Sequence, residues 1–427
     1  MAEESKPKNL SGFIDKPKEL AKNWYDLRYR YVRGRVLPPN KIERIEAFIN
    51  GSLASVFERG RRTMNNALAS KNTGCNRSIT LWHDAIEYKW EDVPEKKYNN
   101  WYNMTHQPFD ISDFYANSYP YLLQIEPTNF CNLACPLCPA GRNELGRERR
   151  NMTLEEFKSV IDDVEDYLLF LVMWDFGEPL MNPDLPDMIR YASQRGIKTV
   201  TSTNGHYFED EIYLSNLLQS GLTTLIVAID SIHEESYQTY RKKGSLSKAM
   251  NGLKKLIDLK NKLNSPTAIN MRMVVMKHNE SEIDEIRETA KQLGVDIFTV
   301  KTVNPGYGPT ANDEESVPVD PDLRRYEYIE GTYQRVRVDA ICNYVWTMSN
   351  IHSDGSVVAC CYDYDSELKV GNIQEQKFTE LWNGQTYREL RKKIYFNKES
   401  LIKCKDCNVN FKLARNGWFV DSYGWMK

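Results

Sequence analysis

The sequence predicts an α/β fold in which a parallel sheet is covered by helices, either as an open wound sheet or as a partial barrel. Two observations carry that expectation. Between residues 121 and 303, short, nearly continuous apolar runs alternate six times with longer segments of helical period. Runs that are apolar on both faces are buried on both faces, as parallel strands flanked by helices are. A third observation places the chemistry: a cluster of thiols follows the first run directly, and such folds keep their active sites at the carboxyl ends of the strands.

Taken in order, residues 1–117 are rich in charge and aromatic side chains with mixed helical signals, and read as a mainly helical N-terminal extension. Ten Lys/Arg against four acids fall between residues 21 and 62, interleaved with Trp24, Tyr25, Tyr29 and Tyr31. That stretch reads as a solvated helix face packing its aromatics on the core, or as a grip for an anionic partner. The core is expected over 118–305. Its strands are YLLQIEP (121–127), LFLVMWDF (169–176), IKTVTSTNG (197–205), TTLIVAIDS (223–231), INMRMVVMK (269–277) and VDIFTVKTV (295–303). The helices between them are TLEEFKSVIDDVEDYL, opened by the capping box of Thr153 and Glu156, then LPDMIRYASQRG, DEIYLSNLLQSG, SLSKAMNGLKKLIDLKNKLN and SEIDEIRETAKQLG. A Pro-, Gly- and acid-rich linker covers 306–336, and a smaller cysteine-bearing region runs from 337 to 427.

Composition narrows the class. With 427 residues, 41% hydrophobic, 27% charged and a net charge of −3, the balance is that of a soluble globular protein without the excess that would point to nucleic acid. No apolar run approaches the roughly 20 residues of a membrane span. The start, MAEESKPKNL, has no signal-peptide core, so a cytoplasmic location is expected. In that compartment nine cysteines are not disulfides, and eight of them, Cys361 beside Cys360 included, fall into two organised groups that favour metal.

The first set is EPTNFCNLACPLCPAGR (126–142), with Cys131, Cys135 and Cys138 in C-x-x-x-C-x-x-C spacing. Three thiolates can hold three irons of a [4Fe-4S] cube and leave the fourth iron open, whereas cluster carriers close the cube with four. The rival readings are a zinc site short of one ligand and incidental structural thiols. Three-ligand zinc sites are usually His-rich, and no His lies near this loop.

This loop after the first strand of a six-fold β/α pattern resembles the radical S-adenosylmethionine (SAM) superfamily. FGEP (176–179) resembles the family's G-G-E-P segment, with Phe176 in place of its first Gly. TSTNG (201–205) closes the third strand where the family makes ribose contacts, and AIDS (228–231) ends the fourth. YRKKGSLSKAMNGLKKL resembles a stretch that supplies an Arg to the SAM carboxylate, here Arg241. The resemblance covers about residues 118–305 and implies a partial (β/α)6 TIM-like barrel. It further implies SAM contacts at Leu137, Gly177, Glu178, Pro179, Thr203, Asn204, Asp230, Ser231 and Arg241. Leu137 stands where an aromatic residue is commoner, so its backbone is expected to serve adenine. In the family, the open iron chelates SAM, and one electron cleaves it to a 5′-deoxyadenosyl radical.

Cys342, Cys360, Cys404 and Cys407 form the second set, with Gly355 five residues before Cys360. Four thiols close either a zinc or a cubane site. The order C…G-x4-C…CxxC resembles the auxiliary-cluster extension called SPASM, or its shortened "twitch" form. That likeness implies one auxiliary [4Fe-4S] cluster, because no further cysteine follows Cys407. Cys361 points opposite to Cys360 in an extended segment and reads as a non-ligand; Cys75 is isolated. The resemblance implies hydrogen abstraction from the substrate, an auxiliary cluster that accepts the electron left behind, and an external one-electron reductant such as flavodoxin or ferredoxin. The substrate expected is a small polar, sugar-like metabolite. A peptide for maturation is the alternative, and an iron–sulfur carrier is the non-enzyme alternative.

Overall fold

The computed structural model describes residues 78–81, 86–89, 92–106, 109–110, 112–306, 312–338, 340 and 342–424. The basic stretch of residues 21–62 and Cys75 lie outside the described residues. Where the extension is described it holds both strand and helix. β1 (Ser78–Leu81) pairs antiparallel with β2 (Ile86–Lys89), α1 (Glu95–His106) follows, and β3 (Phe109–Asp110) pairs with β4 (Tyr115–Ala116). The short strand pairs carry no apolar alternation of useful length, which is why the sequence alone predicts a mainly helical extension there.

From Leu122 the expected alternation is present. It runs β5 (Leu122–Ile125), α2 (Leu154–Val164), β6 (Phe170–Val172), α3 (Leu185–Ser193), β7 (Lys198–Thr203), α4 (Glu211–Leu218) and β8 (Thr224–Ala228). A short α5 (Glu234–Tyr240) precedes the long α6 (Leu246–Leu263), then β9 (Ala268–Val275), α7 (Ile283–Leu293) and β10 (Ile297–Thr302) complete the set. Neighbouring strands from β5 to β10 are all parallel. The Thr153–Glu156 capping box opens α2, which buries Phe157, Val160, Ile161 and Val164 against the sheet. Each such side chain contributes about 1.5–3 kcal/mol of transfer free energy.

Alternation along the strands separates two layers. Leu123, Ile125, Leu171, Val227, Phe298 and Val300 point outward into the main core beneath the helices. Leu122, Phe170, Val172, Val200 and Ile226 point inward and form a second cluster with Val93 and with Met104 of α1. Asn100 of α1 exchanges two hydrogen bonds with the backbone of Tyr119, at 2.9 and 2.8 Å, and Lys97 donates to the carbonyl of Arg195 at 3.0 Å. All these anchors stand at the amino ends of the strands, so α1 closes the floor of the barrel and leaves the carboxyl ends for chemistry.

After the linker, with its short α8 (Asp313–Ser316), the chain does not build a detached unit. α9 (Tyr344–Thr347) leads into β11 (Met348–Ile351), followed by β12 (Ser356–Val358), β13 (Lys369–Asn372), α10 (Phe378–Trp382), α11 (Gln385–Asn397) and β14 (Phe419–Gly424). β11 adds in parallel to β5, with Met348 opposite Leu122, and β14 adds antiparallel to β10. The result is one ten-stranded sheet, β13-β12-β11-β5-β6-β7-β8-β9-β10-β14, open between its two outer strands. Val345, Trp346, Phe378 and Trp382 belong to the same core as the barrel helices. No helix among the described residues is long and apolar enough to cross a membrane.

Candidate active site

The loop after β5 is folded by its own backbone. Cys138 N donates to Cys135 O at 3.1 Å, and Arg142 N to Cys138 O at 2.9 Å. Gly141 packs so close that a Cβ there would stand 2.6 Å from Cys135 N and O. The loop is also tied to neighbouring strand ends: Glu178 N donates to Phe130 O at 2.7 Å, and Ala134 N to Lys242 O at 2.9 Å. Gly177 makes the first of these ties possible, since at its φ of +95° a Cβ would lie 2.5 Å from Thr128 O.

The residues expected to meet SAM fall into two groups. Glu178 is buried, and its carboxylate accepts from Asn204 N at 2.7 Å and Leu180 N at 3.2 Å. Burial nevertheless pushes its pKa up to about 7. Pro179 starts the short 3-10 turn that Glu178 caps. Asn204 reaches Asn132 of the thiol loop at 2.8 Å, and Thr203 Oγ1 accepts from Gly205 N at 3.1 Å. In the second group, Asp230 accepts from Arg241 Nε at 2.6 Å and from Val274 N at 2.8 Å. The Arg241 guanidinium also lies against Cys135, where burial lifts the thiol to about 11 and Arg241 opposes the rise. Ser231 turns away from both groups, donating to Glu282 and capping His233 N. Leu137 packs its side chain with Met276, Val303 and Val317.

Burial raises the thiols of Cys131, Cys135 and Cys138, Cys131 to about 12, and Cys138 adds to the rise at both of the others. Cys342, Cys360, Cys404 and Cys407 likewise form one connected set, with Cys342 acting on each of the other three, although they come from three places in the chain. Cys360 interacts with Cys361, Cys342 and Cys404, and Cys361 interacts in addition with Asp175, Lys301 and Arg325. Neutral buried thiols are what a binding metal deprotonates outright. Among the described residues no three His, Cys, Asp or Glu side chains converge on a single ion. Each thiolate of a cubane sits on a different iron, so wider thiol-only arrays of three and four suit iron–sulfur clusters.

The two arrays are joined by contacts that the sequence reading missed. Glu126, at the end of β5, accepts two bonds from Arg147, at 2.9 and 2.8 Å, and both side chains are buried. The same carboxylate accepts from Ser353 N and Oγ, at 3.1 and 2.8 Å, and from Phe176 N at 3.3 Å. Arg147 Nε donates to Tyr364 O at 2.6 Å. Asp365 accepts from Gly146 N at 2.9 Å and from Lys403, next to Cys404, at 3.2 Å. Beside this network Asp175 accepts from Asn350 at 2.9 Å and stands 3.6 Å from His352. One signal was available for Asp175, Arg272 and Lys301: each is a charged residue inside an otherwise apolar strand run.

Residues 125–313 match the family model of the radical SAM superfamily, and residues 342–408 match the iron–sulfur cluster-binding domain called SPASM. A tungsten-containing aldehyde ferredoxin oxidoreductase cofactor-modifying protein of Pyrococcus furiosus is 26% identical over 67% of this chain and 87% of its own length. An AdoMet-dependent heme synthase of Methanosarcina barkeri is 28% identical over 64% and 85%. The mycofactocin maturase MftC of Mycolicibacterium smegmatis is 24% identical over 70% and 78%. Among solved structures, Streptococcus suis SuiB bound to S-adenosylmethionine superposes with a TM-score of 0.52 at 16% identity, covering 81% of this chain and 82% of that one. The matches take in the first thiol array and the strand ends around it, and the second array as well. This chain belongs to the radical SAM superfamily, with a SPASM-type domain, and is an enzyme of SAM, a radical SAM [4Fe-4S] cluster and an auxiliary iron–sulfur cluster.

Proposed function

We propose that the protein is an oxidoreductase that removes a hydrogen atom from a small polar, sugar-like metabolite and passes the remaining electron to the auxiliary cluster. Cys131, Cys135 and Cys138 hold the SAM-binding cluster, and Cys342, Cys360, Cys404 and Cys407 close the auxiliary one. When bound, the first cluster and SAM supply the reducing electron and the hydrogen-abstracting species. The chain's own part is to position and enclose. Gly177, Glu178, Pro179, Thr203, Asn204, Asp230 and Arg241 line the strand ends around the triad, Ser231 caps the segment after β8 through His233 N, and Leu137 offers backbone to adenine. The Asp230–Arg241 pair orients the guanidinium toward the triad, and Glu178 fixes the β7 end through Asn204 N. The functional division follows 118–305 as the SAM core, 306–336 as linker and 337–427 as the auxiliary region, with 1–117 as the N-terminal extension.

The observation that carries this reading is the pair of thiol-only arrays at one end of a barrel whose other end is closed by α1. An electron left on a substrate between them has an acceptor on the far side. Peptide maturation is a second reading, supported by the likeness to a mycofactocin maturase. The deciding assay incubates the anaerobically reconstituted enzyme with SAM, a one-electron reductant and candidate metabolites. Formation of 5′-deoxyadenosine together with a two-electron-oxidised metabolite is expected. Turnover only with a peptide would replace the first reading by the second, and absence of 5′-deoxyadenosine would remove both.

A further inference from the structure

The two groups of residues expected to meet SAM are joined by one buried side chain, His206, just past the end of β7. On one side its Nδ1 lies 2.9 Å from the backbone oxygen of Asn204 and 3.1 Å from that residue's side-chain oxygen. On the other, its Nε2 accepts from Ser245 N at 2.9 Å. Asn204 is held in turn by Glu178, through its backbone N, and by Asn132 of the thiol loop, through its amide. Ser245 is the N-cap of α6 and ends the turn that carries Arg241. That turn is tightly wound: Gly244 N donates to Arg241 O at 2.8 Å, and Lys243 has a φ of +65°. It is tied to the thiol loop as well, since Lys242 O accepts from Ala134 N at 2.9 Å.

These partners fix the protonation of the ring. A backbone N–H can only donate, so Nε2 must offer a lone pair to Ser245, and the proton must sit on Nδ1, where Asn204 supplies acceptors. The ring is a neutral imidazole with one donor and one acceptor, and both are used. A second proton would turn an Nε2–H onto the Ser245 N–H and break that contact. Burial holds the His206 pKa below the usual 6.5; Lys248 and Arg241 act with burial, while the Asn204 backbone and Glu234 oppose it. Lys248 is itself paired with Glu209 at 3.0 Å, and Glu234 accepts from Leu246 N at 3.1 Å.

We propose that neutral His206 is a positioning residue for SAM: it holds the Asn204 and Arg241 sides of the cofactor site at a fixed separation, and the site loosens when the ring takes up a second proton. The inference rests on reading Asn204 and Arg241 as SAM contacts. The test measures SAM binding to the anaerobically reconstituted, unreduced holoenzyme by equilibrium dialysis, from about pH 8 to about pH 5.5, a range that spans histidine titration. Without a reductant SAM is bound and not consumed. His206→Gln places an amide oxygen near the position of Nε2, where it accepts from Ser245 N without titrating. His206→Phe keeps an aromatic ring in place and removes both bonds. Hydrogen exchange of residues 241–246, followed by mass spectrometry, reports the Ser245 contact with no SAM present.

At about pH 8, His206→Phe should weaken SAM binding on the order of tenfold, the effect of leaving one buried backbone donor unpaired, and His206→Gln by no more than about threefold. As the pH falls, the wild type should lose affinity relative to His206→Gln. The gap should open below about pH 6.5 and approach tenfold per pH unit, as linkage to one proton requires. The amino group of SAM titrates in both cases, so the ratio of the two dissociation constants reports His206 alone. Exchange at 241–246, corrected for the intrinsic effect of pH, should quicken over the same range in the wild type and stay level in His206→Gln. If His206→Phe does not fold, the His206→Gln comparison carries the test. A His206→Gln variant that follows the wild-type acid profile, a His206→Phe variant with wild-type affinity, or exchange at 241–246 indifferent to pH overturns the proposal. The two readings fail separately. A wild type that binds no SAM at any pH removes the SAM site itself, whereas tight wild-type binding with identical acid profiles removes only the role of His206.

Discussion

The two cysteine arrays are built in opposite ways. Cys131, Cys135 and Cys138 lie within eight consecutive residues, and backbone bonds inside the loop shape them. Cys342, Cys360, Cys404 and Cys407 span 66 residues, and they meet only because β11 docks on β5 and the following segments fold over the barrel mouth. Closing longer loops costs more entropy, and that cost is met by tertiary pairing. The first array is thus a local device carried by a strand end, whereas the second depends on the whole sheet. The Glu126–Arg147 pair and Asp365 are where one is fastened to the other.

The strongest way to break the comparison is to remove each array separately. Replacing Cys131, Cys135 and Cys138 together with Ala should abolish SAM cleavage and leave about half of roughly eight irons per chain. Cys404→Ala or Cys407→Ala should keep 5′-deoxyadenosine formation while losing oxidised product. Iron analysis and product chromatography check both. A triad variant that cleaves SAM at the wild-type rate contradicts the assignment of the first array, and zinc in the second contradicts the auxiliary cluster.

Cutting the fastening comes next in size. Arg147→Met leaves Glu126 buried with its counter-charge gone, a loss of about 3–5 kcal/mol for pairs of this kind. Denaturant titration should register it as a lower midpoint. Because Arg147 also holds Tyr364 O, the second array should lose iron before the first as denaturant rises. Simultaneous loss from both would mean that the arrays are not separately supported.

A smaller effect follows from Glu178, which binds its proton more tightly in the folded chain because burial lifts it from 4.5 to about 7. Its contribution is therefore fully present below about pH 4.5 and is lost as the pH climbs through about 7, roughly 3 kcal/mol in all. Glu178→Gln, measured by chemical denaturation of cluster-free protein across that window, should flatten the decline. An unchanged slope would show that the carboxyl titrates as it does in the unfolded chain.

Legibility in the sequence followed the same divide. The six strands, the capping box and the triad were readable because each rests on local pattern: apolar runs, a Thr-x-x-Glu spacing, and thiols a turn apart. The second set was readable as a set of cysteines, but its attachment was not. Nothing in residues 337–427 announces that β11 and β14 extend opposite edges of the barrel sheet, since an edge is chosen by what is already folded. Arg147 sits in a basic run, RERR, in which only the fold shows which guanidinium turns inward onto Glu126. Lys301 and Arg272 were visible as charges in apolar strands, yet the phase that aims them into the barrel is fixed by pairing.

The smallest expected effect separates local helix stability from the chemistry of both arrays. Thr153 Oγ1 accepts from Glu156 N at 3.2 Å, and Glu156 returns a bond to Thr153 N at 2.8 Å, which satisfies two otherwise orphan donors at the start of α2. The same carboxylate meets Arg150, downstream of the triad, at 2.7 Å, and accepts from Gln374, beyond β13, at 2.5 Å. Thr153→Ala removes one side of the box and leaves the Arg150 and Gln374 contacts in place. The cost should be about 1 kcal/mol, the usual worth of an N-cap hydroxyl. Thermal unfolding should shift by a few degrees, with SAM cleavage and iron content unchanged. Loss of iron from either array in this variant would mean that the entrance of α2 supports the clusters directly, and that the local array is less self-contained than its backbone bonds imply.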